Sequence, residues 1–84
     1  MKKIIYIARP YLAEQTLLVY EDGNKIDIVK TTMQDLNESI FSLMEKHNTY
    51  RVDLAGPKSY TKGLATLIQE KSINKFSNLE INII

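Results

Sequence analysis

The segment KIIYIA, Lys3–Ala8, limits the fold more than any other stretch of the chain. Side chains alternate between the two faces of a strand, so a half-buried strand alternates apolar and polar residues. Here Ile4–Ala8 is apolar without interruption and rich in isoleucine. Arg9-Pro10-Tyr11 ends it, because proline cannot donate to a ladder. The pattern predicts a central strand covered on both faces. The run is too short for a secretory leader, which needs about 7–15 apolar residues, or for a membrane span, which needs about 20. The expectation is a soluble, cytoplasmic protein with no membrane partner.

The rest of the chain supplies neighbours for that strand. Gln15–Tyr20 is a second strand, and Lys25–Lys30 a third, with Ile26 and Ile28 on one face and Asp27 on the other. Between them stands Glu21-Asp22-Gly23-Asn24, and Asp-Gly between apolar runs is a strong hairpin signal. The first three strands therefore read as an antiparallel meander. The period then changes. Thr31-Thr32 offers an N-cap, Asp35 falls in the first turn, and Leu36, Ile40, Leu43, Met44 and His47 recur at helical spacing. Asn48 suits the helix C-terminus. Tyr50–Ala55 reads as a fourth strand. Ser59 is placed to cap a second helix with Tyr60, Leu64, Leu67 and Ile68 on its apolar stripe. Ser72–Asn78 is polar and loop-like, and Leu79–Ile84 alternates as a fifth strand at a sheet edge.

The order is β-β-β-α-β-α-β in a single domain, 1–84, without repeats or linkers. It predicts an α/β (α+β) fold with helices on one five-stranded mixed sheet. With the doubly apolar strand in the middle, the strand order is 3-2-1-4-5. That order resembles the ribonuclease H-like architecture, which actin-like ATPase domains share. A nuclease of that architecture would hold two metals on acids that include one from its first strand. KIIYIA carries no acid, which leaves Asp53 and Glu38 as partial matches and makes a degenerate nuclease a remote alternative. No catalytic residue, metal ligand or cofactor is assigned. The chain has no cysteine and one histidine, so a zinc site is not expected. Its net charge of +1 shows no basic excess, so nucleic acid is not a favoured partner.

The stretch DLAGPKSYTKG, residues 53–63, carries the densest set of candidate groups. A strand-to-helix turn aims free N–H groups at an anion, Gly56 and Gly63 permit close approach, Lys58 and Lys62 add charge, and Ser59 and Thr61 add donors. The spacing is not that of a Walker A loop. Gly56, Pro57, Ser59 and Thr61 match the GPGSFTG signature of the actin-like tRNA threonylcarbamoylation proteins, in their non-catalytic partner subunit, which this segment resembles. Tyr60 replaces an aromatic, Lys58 replaces a glycine, and Lys62 stands inserted before Gly63. The resemblance implies partner binding. A phosphate- or nucleotide-binding module using Gly56–Gly63 is the alternative reading.

The leading expectation is a small non-enzymatic binding protein that engages a protein partner or itself, with a homodimer as one form. Arg9, Tyr11 and Leu12 make one candidate contact patch. The alternating edge with Leu79, Ile81 and Ile83 makes another, suited to strand pairing. The Lys/Ile/Asn-rich usage resembles that of bacterial, phage and mobile-element products, for which modulation of a host or defence factor is a natural role. His47, at the end of the first helical stripe, reads as a complement to the helix dipole.

Overall fold

The structure, a computed structural model, describes residues 1–72 and 78–84. Its elements follow the expected order: β1 Lys2–Ile7, β2 Glu14–Glu21, β3 Asn24–Thr32, α1 Leu36–His47, β4 Arg51–Ala55, α2 Lys58–Ser72 and β5 Glu80–Ile83. They form an α/β fold with one mixed sheet in the order β3-β2-β1-β4-β5. β2 is antiparallel to both β1 and β3, while β4 is parallel to both β1 and β5. The β2–β3 turn is the two-residue loop that Asp-Gly announces. Asp22 and Gly23 both have positive φ, 51° and 83°, as the twist of a tight hairpin requires. Among the described residues no helix is long and apolar enough to cross a membrane.

Among the described residues both helices cover the same face of the sheet and none covers the other, which corrects the expectation for the first strand. Ile4 and Tyr6 of β1, Leu17 and Val19 of β2, and Val52 and Leu54 of β4 point to one side. There they form a single core with Leu36, Ile40, Leu43 and Met44 of α1 and Leu64, Ala65 and Ile68 of α2. Fully burying each such large side chain contributes about 1.5–3 kcal/mol. Ile5 and Ile7 point to the other side, where Ile5 is half-buried and Ile7 is 47% exposed. Chain direction explains the asymmetry. The β3–α1–β4 and β4–α2–β5 connections join parallel strands and step across the sheet in the same sense. Right-handed crossovers then carry both helices to the same face.

Several local assignments change with the register. Thr31 and Thr32 do not cap α1, because they pair with Gln15 and Glu14 and extend β3. Asp35, expected in the first turn, takes the N-cap position without a side-chain cap bond. The two threonines still tie the junction: Thr32 Oγ1 accepts from the Asp35 N–H at 3.2 Å, and Thr31 Oγ1 meets Ser39 Oγ at 2.7 Å. Asn48 does end α1, in left-handed geometry. Leu67 is 41% exposed, since the buried stripe of α2 runs through Thr61, Leu64, Ala65 and Ile68. α2 runs through Ser72, the first residue of the expected Ser72–Asn78 loop, and residues 73–77 lie outside the described residues.

β3 shows most clearly which face is the inner one. Asp27 pairs with core residue Val19 and so faces the helices, while Ile26 and Ile28 face outward, 42% and 51% exposed. Asp27 Oδ2 accepts from Lys46 Nζ at 3.0 Å and stands 2.8 Å from His47 Nε2. The last turn of α1 is thereby fastened to the edge strand, so His47 does more than complement a helix terminus. The His47 contact, then Lys46, hold the Asp27 carboxyl at about 2, below its ordinary value of 3.8. A carboxyl depressed by folding stabilises the native state fully above its unfolded pKa and loses that effect as pH falls toward the folded value. Wild-type unfolding in urea is expected to become easier between pH 4 and pH 2. Asp27→Asn should be less stable than wild type at neutral pH and show a flatter profile across that acid window. Equal slopes for the two proteins would contradict the assignment.

Candidate functional site

At the β4–α2 junction, Gly56 has φ +124°, a conformation that favours glycine. A Cβ there would stand 2.8 Å from the Ala8 carbonyl oxygen and 3.0 Å from Ala8 Cβ. The Ala8 N–H donates to the Ala55 carbonyl at 2.7 Å, which draws the end of β1 onto the turn. The close approach that Gly56 allows is thus made by the chain's own Ala8. The Pro57 carbonyl accepts the N–H groups of Tyr60 and Thr61, both at 3.0 Å, and α2 starts two residues earlier than a Ser59 cap would place it.

This early start disperses the groups that the sequence sets side by side. Lys58 and Ser59 are exposed in the first turn of α2. Thr61 is fully buried, with its hydroxyl donating to the Lys58 carbonyl at 3.4 Å, and so faces the core instead of a ligand. Lys62 and Gly63 are exposed on the helix itself, and Gly63 lacks the positive φ of a loop glycine. Gly56–Gly63 is therefore a turn and the opening of a helix, not a loop wrapped around a common centre. The two acids weighed for a metal part in the same way. Asp53 lies on the helix-free face, 3% exposed, with Lys3 Nζ at 3.3 Å, Arg51 Nε at 3.5 Å and Asn82 Nδ2 at 3.2 Å. Glu38 is exposed on α1, across the sheet. Among the described residues no three potential metal ligands converge.

A buried polar node positions the segment between β1 and β2. Gln15 is 2% exposed because it shares the inward face of β2 with Leu17 and Val19. The Tyr6 hydroxyl donates to Gln15 Oε1 at 2.6 Å, and Gln15 Nε2 donates to the carbonyls of Leu12 at 2.7 Å and Arg9 at 3.0 Å. A buried amide whose donors are both used fixes what it holds, since leaving either one unmade costs about 1–3 kcal/mol. Burial, then the nearby Tyr60, push the Tyr6 phenol well above its ordinary pKa, so it stays a donor. The pinned segment leaves Tyr11 81% and Leu12 43% exposed, beside the exposed Arg9. The two-residue period of β2 groups Gln15 with Leu17 and Val19 on one face, and the helices make that face the inner one.

The helix-free face carries the residues that the sequence reading missed. The registers align Ile28, Leu18, Ile5, Asp53 and Asn82 in one row across all five strands. Its β3–β2–β1 half is aliphatic and is flanked by the exposed Ile7 and Ile26. The other half is the Asp53 ion-pair cluster. By contrast, Leu79, Ile81 and Ile83, expected as an edge contact, pack against the core on the helical side. Ile81 and Ile83 pair with the buried Val52 and Leu54, which directs them inward. Against the segment joining β1 to β2, the helix-free face forms a hollow of about 410 Å³, lined by Ile7, Leu12 and Leu18 together with Arg9 and Glu14.

No family model, curated protein or solved structure matches this chain.

Two measurements follow from the junction. Gly56→Ala combines a left-handed backbone with contact against Ala8 and should cost about 2 kcal/mol or more in urea unfolding. ATP, GTP and inorganic phosphate should leave the melting temperature unchanged. A rise that disappears in a Lys58→Gln, Lys62→Gln double variant would establish an anion site there.

Proposed function

We propose that this protein is a small non-enzymatic binding module that engages a protein partner through the helix-free face of its sheet. The observation that carries the reading is the aliphatic row Ile28–Leu18–Ile5 with Ile7 and Ile26 beside it, on a face that no described element covers. In water a sheet normally buries each apolar face against another layer. Contiguous exposed apolar surface rimmed by charge marks interaction sites in folded proteins. The rim here is Lys3, Arg51 and Asp53 at one end and the Lys30–Glu14 pair, 4.0 Å apart, on β2 and β3. Such an arrangement suits association with another apolar protein surface: the aliphatic centre gives affinity and the charges set orientation. The β3 edge extends the same surface, being nine residues long with Ile26 and Ile28 outward.

Ile28→Lys tests the reading because Ile28 supports no core packing. Its stability should stay within about 0.5 kcal/mol of wild type. Association through the face should weaken at least about 30-fold, the equivalent of burying one isoleucine. Self-association is measured by sedimentation, and partner association by parallel capture with wild-type and variant protein. Only partners lost in the variant count. A wild-type protein that stays monomeric at millimolar concentration and captures the same set as the variant would remove the proposal.

A further inference from the structure

The hollow beneath the β1–β2 connection is built, and its groups have a definite chemistry. Ile7 and Leu18 come from the helix-free face and Leu12 from the connecting segment. That segment is held by the bonds from Gln15 Nε2 to the Arg9 and Leu12 carbonyls and by the Leu12 N–H donating to the Arg9 carbonyl at 3.0 Å. Its backbone is therefore in place before any ligand arrives, which lowers the ordering cost of binding. The volume of about 410 Å³ falls in the range of ligand pockets.

Two charged residues line the hollow, and they differ in one respect. Glu14 has Lys30 Nζ at 4.0 Å. Arg9 is exposed and has no ion-pair partner among the described residues. One uncompensated guanidinium thus stands beside an aliphatic surface. Guanidinium presents a planar fork that matches a carboxylate. An occupant that satisfies both features is aliphatic at one end and carboxylate at the other. We propose that this hollow is the anchor pocket for an aliphatic side chain with an adjacent carboxylate on the partner's contacting segment. The proposal rests on the reading of the helix-free face as a protein-binding surface, and gives that partner its chemistry.

The probe is 4-methylpentanoate, an isobutyl group joined through one methylene to a carboxylate, with 4-methylpentanamide as its uncharged counterpart. Each is titrated into protein with labelled Ile and Leu methyl groups and followed by NMR. The carboxylate should give saturable shifts centred on Ile7, Leu12 and Leu18, with a dissociation constant on the order of millimolar for so small a ligand. The amide should bind about ten-fold more weakly, as expected for loss of one charge-assisted contact. Arg9→Gln should lower the carboxylate to the level of the amide and leave the amide unaffected, with the melting temperature unchanged. Absent shifts, equal binding of acid and amide, or indifference to Arg9→Gln each overturn the anchor pocket. If that happens while Ile28→Lys still abolishes association, the pocket falls and the binding face stands. If the probe binds as described while Ile28→Lys changes no association, the hollow is a small-carboxylate site and the anchor role is overturned.

Discussion

The handedness of two crossovers decides the character of this molecule. β3, β4 and β5 are parallel, and the chain visits them in one direction across the sheet. A right-handed connection puts its helix on a fixed side, so two such connections running the same way stack both helices on the same side. All the helical apolar surface is thereby spent on one face. Inner apolar residues from every strand join one core with α1 and α2, while the outer residues face away from both helices. Reversing the travel of one connection would have produced a three-layer domain with the isoleucines of β1 sealed on both sides.

The two faces are stabilised by different means. On the inner face, close packing around Ile4, Tyr6, Leu17 and Met44 is supplemented by polar contacts at the margins. Asp27 binds the last turn of α1, and Gln15 holds the β1–β2 connection. On the outer face Asp53 is buried under Lys3, Arg51 and Asn82, and a charge so placed persists only with partners around it. That cluster closes the β4–β5 half of the face with polar groups. The β3–β2–β1 half has no comparable cover among the described residues, and its aliphatic row lies beside the pinned Arg9–Leu12 segment. Rigid support and exposed apolar surface meet at that corner.

The Gly56–Gly63 segment shows how a motif can be legible and still mislead. Its glycine, lysines and hydroxyls are adjacent in sequence, yet a helix that starts at Lys58 rotates successive residues by about 100° around its axis. Thr61 is turned into the core, while Lys58 and Lys62 share a solvent face one turn apart. Gly56 is required for a reason internal to the fold, the contact with Ala8. A strand-to-helix turn needs a glycine where another strand presses against it, whether or not a ligand does.

Local chemistry by itself determined most of the secondary structure here. The Asp22-Gly23 hairpin, the helical spacing from Leu36 to Met44, the Asn48 terminus and the unbroken apolar run of β1 each depend on neighbours within one or two turns of chain. Burial of β1 in the middle of the sheet then made the order 3-2-1-4-5 readable as well. What the tertiary structure alone decided is which side of each strand faces the core. Period-two alternation separates the two faces of a strand but labels neither, so it set Ile26 and Ile28 opposite Asp27 without saying that Asp27 is the one that faces the helices. The same ambiguity made Leu79, Ile81 and Ile83 look available at an edge while Ile5 and Ile7 looked sealed. The choice of side comes from the path of the helices between strands, a relation between distant segments that no local pattern encodes.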